Sequence, residues 1–482
     1  MRRGAFVLLL GLVYAMNGRA QNYNAIKGSP FAGSLGVSDN PASILNTPYP
    51  WDITIFSLQL QNTTNAVTFH PLSYLSHTDT LIANSKEGYF KRYAAFNYNV
   101  HLLNFRLALS RKTAIAFGAN LRGYGAARTG PANYNDTLKN MNQFFSINQG
   151  TAYHADVVSS SWLELFFTYS RTILDNEVGR LNGGVTLRAM RGISGTYAQL
   201  DASPVSRSQT LQQNLYSLNA ANARYAYSRN YDFWHSNQST TRNLKDFLGH
   251  TDGGAAVDLG VEWLVKSQAV TNYADMDIYY HEYEWKISVS LLDLGANRYQ
   301  YGSQSRAVSS PKTNITDADL NNKISGVSSL ANFNDSLATI VNNISPLTGA
   351  FTIWNPARLA INVDRPLQDQ FAINAGLTLN LGMSGNNAAT MLFVKDMNLL
   401  TVTPRWETRN LGAYLPMLVT TDGKFWVGGA FKAGPLLFGI HNWANVFSRS
   451  KIQNGGLYLA FTIRPGNGFF TKENKKYSCP VN

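Results

Sequence analysis

Eight histidines are the first candidates for acid–base or metal chemistry, and their spacing argues against both. None forms His-x-x-x-His or another metal-ligand spacing, because two imidazoles must share a face before they can share an ion. His154-Ala155-Asp156 and His281-Glu282 set a base beside a carboxylate, but such isolated pairs belong more often to loops than to catalytic sites. No Gly-x-Ser-x-Gly elbow, Walker loop or Cys-x-x-Cys occurs. The sequence therefore predicts no catalytic residue, no metal site and no cofactor. The patterned charges are Arg122, Glu164, Arg188, Asp258, Glu262, Lys286, Arg405, Glu407, Lys432 and Arg464, each opposite an apolar stripe. Facing one interior, charges of both signs suit a network of ion pairs that fills a lumen or grips a segment within it. An ion-selective pore fits them less well. Equally, they can merely satisfy one another inside a closed wall.

The elements that carry these charges repeat with a period of two. Ile115, Phe117, Ala119 and Leu121 alternate with Gly118, Asn120, Arg122 and Tyr124. Val257, Leu259, Val261 and Trp263 alternate with Asp258, Gly260 and Glu262; Leu457, Leu459, Phe461 and Ile463 with Tyr458, Thr462 and Arg464. The pattern predicts strands near 51–62, 93–110, 114–127, 159–171, 180–199, 253–266, 283–301, 350–364, 371–383, 398–408, 411–420, 424–433, 436–444 and 454–465. That is about fourteen, an even number, as in single-chain bacterial barrels. Long connections at 63–92, 128–158, 200–252 and 302–349 follow odd-numbered strands, whereas those after even-numbered strands are mostly short. Segment 267–282 breaks the rule. A soluble sandwich would also alternate, but it gives no reason for long and short connections to take turns. The expectation is an all-β fold, a transmembrane antiparallel β-barrel with long extracellular loops and tight periplasmic turns. In such a wall a charge at Val257 would meet lipid, whereas one at Asp258 would be tolerated.

Composition agrees. Aromatic residues make up 12% and charged residues 15%, as expected where rings girdle the interfaces and charge is kept off the lipid face. Mean hydropathy is −0.19, unremarkable because only every second residue would face lipid. The amino terminus reads as an export signal: Arg2 and Arg3, an apolar stretch from Phe6 to Ala15, then Gly18 and Ala20, with cleavage before Gln21. Removing Arg2, Arg3 and Arg19 lowers the formal charge from +12 to +9. The basic residues are dispersed, so nucleic acid is not an expected partner. The single cysteine, Cys479, can form no internal disulfide, which leaves hydrogen-bonded strands to hold the fold.

Ahead of the first strand, Asn40-Pro41-Ala42 reads as an N-cap followed by proline at the first helical position, hence a short helix or tight turn. These residues also resemble the Asn-Pro-Ala motif in the N-terminal hatch of FadL-type outer-membrane transporters of hydrophobic compounds. A closer resemblance is to a family of outer-membrane barrels of unknown function found in Bacteroidota. It rests on Ala20-Gln21, the run from Asn40 to Ile44, Trp51-Asp52, and the run from Ser288 to Gly295. The resemblance implies a signal peptide over 1–20, a hatch over 21–50 lodged in the lumen, a barrel over 51–465 and a periplasmic tail over 466–482. Pro404, inside an expected strand, is a candidate irregularity of the wall, although a benign edge or bulge proline explains it as simply. The implied function is binding or passage of a hydrophobic small molecule across the bacterial outer membrane, with membrane lipid and such a ligand as partners. The alternative is a barrel that serves as scaffold or docking partner for secretion or surface proteins, contacted at its extracellular loops.

Overall fold

The structure is a computed structural model that describes residues 24–70, 82–135, 138, 140–210, 213–266, 283–324, 328–367, 370–382, 392–394, 397–420, 423–447 and 454–465. The export signal, segment 267–282 with His281-Glu282, and the tail 466–482 with Cys479 lie outside the described residues.

Fourteen wall strands follow one another in chain order. They are β1 (Trp51–Thr64), β2 (Gly88–Ser110), β3 (Thr113–Tyr134), β4 (Tyr153–Asp175), β5 (Gly179–Ala202), β6 (Gly253–Lys266) and β7 (Tyr283–Gln300). Then come β8 (Ala350–Trp354 and Arg358–Pro366), β9 (Phe371–Asn380), β10 (Leu399–Glu407), β11 (Leu411–Tyr414 and Met417–Thr420), β12 (Phe425–Val427 and Gly429–Ala433), β13 (Leu436–Ile440) and β14 (Asn454–Ile463). Each pairs antiparallel with its neighbour in sequence. Ile53 opposite Ile463 and Thr54 opposite Thr462 join β1 to β14, so the ring is closed and the wall has no free edge. All fourteen expected strands are present. β8, β11 and β12 are each interrupted, a detail the alternation does not carry.

The two faces of this wall reverse the usual soluble arrangement. Outward residues include Phe117, Leu165, Phe167, Leu187, Leu259, Ile287, Ile373, Phe431 and Phe461, all large, apolar and exposed. Their inward neighbours Asn120, Glu164, Thr186, Arg188, Asp258, Asn374 and Thr462 are polar and buried. An apolar outer belt is stable only against hydrocarbon, and a polar interior only if its groups bond one another.

Short turns gather at one end, hereafter the turn end, and long connections at the other, the loop end. β2 to β5 run 22 to 24 residues. A tilted strand needs about 9–11 to cross a bilayer, so these strands project well beyond the belt. The projection is widened by Ala221–Tyr227, paired with β5, and by Arg306–Pro311 and Val341–Pro346. Above it, Val205–Gln209, Asn214–Leu218 and Ile315–Thr316 form a small sheet. Val205, Tyr216, Ile315 and Leu320 give this cap a core of its own.

Candidate functional site

The interior is filled in three layers, and the candidate site is their stack. At the turn end lies the segment 24–49, folded as three 3-10 stretches. Asn40 caps the last of these: its side chain accepts from the Ala42 amide at 2.8 Å, with Pro41 in the first turn. Proline costs nothing there, because that amide would have no helical partner. The segment is held from all round the ring. Asp52 of β1 accepts from the Ser34 amide at 2.7 Å. Arg106 of β2 donates to the carbonyls of Ile44 and Tyr49 at 2.7 and 2.9 Å. Asn40 donates to Val261 of β6 at 3.0 Å, and Ser290 of β7 to Asp39 at 2.7 Å. Ser29 donates to Glu407 of β10 at 2.7 Å, and Arg464, just past β14, to the Phe31 carbonyl at 3.1 Å. Backbone groups that regular structure leaves open are thus satisfied by wall side chains. Burial pushes the Tyr49 phenol up, against the pull of Arg464 and Arg409. Between this segment and Lys286 a cavity of about 30 Å³ has room for a water or two.

Two of the wall's glycines are seats for this segment. A methyl group at Gly260 would stand 2.1 Å from the Asn40 side-chain oxygen, and one at Gly184 2.5 Å from the Ala42 nitrogen. Only a residue without Cβ lets the Asn40-Pro41-Ala42 turn lie flat on β5 and β6.

Lower ion pairs surround the same segment. Arg405 lies over β8 and binds Asp364 with both terminal nitrogens, at 2.5 and 2.9 Å, while its Nε donates to Glu407 at 2.7 Å. Tyr283 donates to Asp364 at 2.7 Å. Lys286 donates to the Gly28 carbonyl and stands 4.0 Å from Glu262. Lys432 donates to the Thr408 carbonyl at 2.8 Å and sits 4.2 Å above the Phe31 ring.

The middle layer joins six consecutive strands. Arg122 of β3 binds Asp293 of β7 through two nitrogens, at 2.5 and 2.8 Å, a contact across the lumen between strands four apart. Arg122 also reaches Glu164 of β4 at 3.5 Å, and Arg188 of β5 bonds both Glu164 and Asp258 of β6. Arg358 of β8 completes the set at 3.2 Å from Asp293. Three guanidinium groups face three carboxylates, so the layer is neutral. Bidentate, charge-assisted bonds of this kind repay part of the desolvation that burial imposes.

The top layer is apolar. Tyr124, Trp162, Met190, Tyr197, Tyr299 and Phe351 belong to one buried cluster under the cap. Tyr299 and Tyr197 flank Phe351 with ring centres 5.5 and 5.4 Å away. The Tyr299 hydroxyl meets Ser160 at 2.7 Å, and the Trp162 indole donates downward to Glu164 at 2.9 Å, tying this layer to the charges.

Of the ten inward charges expected from sequence, nine are fully buried and Arg464 is half-buried. The contacts argue against tolerance of a charge change at Asp258: it is buried and accepts from Arg188 and from the Asp293 amide at 2.7 Å, so an arginine there would meet Arg188. Alternation shows which way a residue points but not what it meets there. Asp52, Arg106, Asp293, Arg358 and Asp364 are further buried charges outside the set of ten. The signal for Arg358 and Asp364 was available, as both alternate with Leu359, Ile361 and Val363. Asp293 was hidden: it follows two leucines and adopts φ +59°, breaking the alternation where β8 is interrupted. Pro404 lies within β10 opposite Ile373, and its carbonyl accepts from the Leu415 amide at 3.1 Å. β11 is interrupted at Leu415-Pro416 and β12 at Gly428, whose amide donates to Pro416 at 2.7 Å. Two adjacent strands are therefore interrupted beside Pro404 of the continuous β10, and the wall stays hydrogen-bonded there. Among the described residues no three His, Cys, Asp or Glu side chains are placed to hold a metal ion.

No curated protein sequence matches the chain. Among solved structures it is similar to the Ralstonia pickettii toluene transporter TbuX, at 10% identity over 94% of this chain and 99% of that one, with a TM-score of 0.41. It is also similar to a Pseudomonas aeruginosa FadL homologue, at 9% identity over 92% and 98%, with a TM-score of 0.41. Over residues 41–441, nearly the whole barrel, the sequence matches DUF5723, and the chain belongs to this family of unknown function.

Proposed function

We propose that this protein is an outer-membrane barrel that binds or passes a hydrophobic small molecule, with residues 24–49 acting as a hatch at its turn end. The observation that carries the reading is the change of lining along the barrel axis. Below, every inward charge that the sequence singled out is engaged by a named partner, which leaves little field for attracting ions or polar solutes. Above, the lining is aromatic and thioether: Trp162, Met190, Tyr197, Tyr299 and Phe351. Flat rings and a flexible Met suit an apolar guest, with the Tyr hydroxyls to orient it. The interruptions at Leu415-Pro416 and Gly428, beside Pro404, are the natural place for an apolar guest to leave sideways, since interrupted strands separate at lower cost.

A second reading has its own support. The top-layer rings pack on one another, and the cap above has a separate core. A barrel filled in this way suits a scaffold or docking partner for secretion or surface proteins. Purification in mild detergent followed by mass spectrometry separates the two. The transport reading expects a lipophilic compound in stoichiometric amount, reduced by Phe351→Ala or Met190→Ala in a barrel that still assembles. A protein partner in stoichiometric amount, with no lipophile in either barrel, would replace transport by the scaffold reading.

A further inference from the structure

The excursion between Ser228 and Asp252 leaves the wall on its outer side. Its neighbours are outward groups of the strands: the Tyr231 hydroxyl donates to Ser194 at 2.9 Å, and Arg191 donates to the carbonyl of Leu248 at 2.7 Å. Asn230 donates to the Ile193 carbonyl at 2.7 Å. The inner side of β5 at this level is already covered, because Tyr299 lies against Gly192 and Gly195. Within the excursion, helix Thr240–Gly249 starts at a Ser239 cap. Asn243 fastens it to the loop, donating to the His235 carbonyl at 2.7 Å and accepting from the His235 amide at 2.9 Å. Leu244, Phe247 and Leu248 share one arc of this helix, whereas Arg242 and Lys245 lie on the other side. Tyr231 and Trp234 pack edge-on against Phe247, with ring centres 5.2 and 5.9 Å away. Among the described residues nothing covers the outer part of this arc: Leu244 is 50% and Trp234 48% exposed, while Phe247 and Leu248 are half-buried.

The excursion's height in the wall identifies what covers it. From Arg191 toward the turn end, the outward residues of β5 are Ala189 and Leu187, the latter 59% exposed and part of the apolar belt. The helix thus sits at the loop-end rim of that belt and continues it. We propose that segment 228–252 is an interfacial anchor lying in the outer leaflet, with Trp234, Leu244 and Phe247 at the acyl boundary and Arg242 and Lys245 among the headgroup phosphates. A rigid apolar helix face with an indole and a phenol beside it has this preference, and cationic side chains at the polar edge extend to phosphate. The inference rests on the outer-membrane reading above. It adds that segment 228–252 is held at a fixed height by lipid and not by its bonds to β5 alone.

The test uses the full mature chain carrying Cys479→Ser, with one cysteine introduced at Leu244, Leu187 or Gln213 and labelled with a polarity-sensitive fluorophore. Each variant is reconstituted in phosphatidylcholine–phosphatidylglycerol vesicles and screened for the heat-modifiable barrel. Leu244→Cys should emit to the blue of Gln213→Cys and be quenched about threefold more by lipids labelled near the headgroup. Leu187→Cys reports the belt. If Leu187→Cys is lipid-protected but Leu244→Cys emits as in water and is quenched by iodide like Gln213→Cys, the anchor is wrong and the barrel stands. Failure of Leu187→Cys to be protected would instead remove the membrane reading itself. Protection of Leu244→Cys only at high protein-to-lipid ratio would assign the helix face to a second copy and overturn the lipid proposal.

Discussion

Arg122 is the residue on which the closed interior turns. Its guanidinium spans from β3 to Asp293 of β7 and also faces Glu164, so its loss leaves two buried carboxylates short of a partner. Arg122→Met should therefore destabilise the folded barrel by about 3–5 kcal/mol in urea-titrated lipid refolding, because an uncompensated buried charge costs more than the pair yields. The double variant Arg122→Met, Asp293→Asn keeps the layer neutral, at two guanidinium groups and two carboxylates, with a residue that tolerates φ +59°. It should recover part of that loss, the rest being held back by Arg358, which pairs with Asp293. No recovery would mean that the pair shapes the backbone beyond its charge. A neighbouring pair of positions tests which side of the wall is which. Val257→Arg turns a charge toward lipid and should cost about 2–4 kcal/mol. Asp258→Arg brings like charge against Arg188 and should cost at least as much. A mild effect at 258 with a severe one at 257 would point to water in the middle layer.

At the scale of elements, the segment 24–49 and its glycine seats act together. Gly260→Ala keeps the β5–β6–β7 ladder but puts a methyl group into Asn40, so it should loosen the segment with an overpacking cost of about 1–3 kcal/mol. The readout is single-channel conductance in planar bilayers, which should rise in Gly260→Ala and rise further on deletion of Ala25 to Ser43. Both barrels should remain heat-modifiable, since the strands keep their own hydrogen bonds. A deletion that prevents assembly would place the segment in the folding core; an assembled deletion variant with unchanged conductance would show the upper two layers closing the lumen unaided. The seats also show how far the sequence could be read. The turn at Asn40-Pro41-Ala42 was legible because capping is local, and the fourteen strands because alternation is local and repeated. Gly184 and Gly260 were not, since the reason for each lies more than a hundred residues away in another element. Cross-lumen partners such as Arg122 and Asp293 were closed to reading for the same reason: register fixes neighbouring strands, whereas strands four apart meet only after the wall curves.

For the whole molecule, the asymmetry of its two ends makes a prediction about sidedness. β1 and β14 both reach the turn end at the closure of the ring, where Arg111-Lys112, Asn176–Val178 and Gly434-Pro435 make tight connections. The loop end carries the cap, built from two separate connections, one bearing Val205 and Tyr216 and the other Ile315. A chain inserted from the periplasm pushes its hairpin ends outward, so the long connections face the exterior and the turns stay inside. Protease added to intact cells should therefore cut within 203–252 and leave Arg111-Lys112 untouched, although both offer basic residues. The cut should fall first beside Arg207 in the cap, whose flanking Ser206 and Ser208 are exposed, because segment 228–252 lies against lipid. Because the fourteen strands hold the ring independently of that stretch, the nicked protein should still migrate as a folded barrel before heating and separate into two fragments after it. Cleavage at Arg111-Lys112 with the long connections intact would reverse the orientation. A nicked protein that loses its folded mobility would show that the cap and the wall fold as one cooperative unit, contrary to the separate cores seen here.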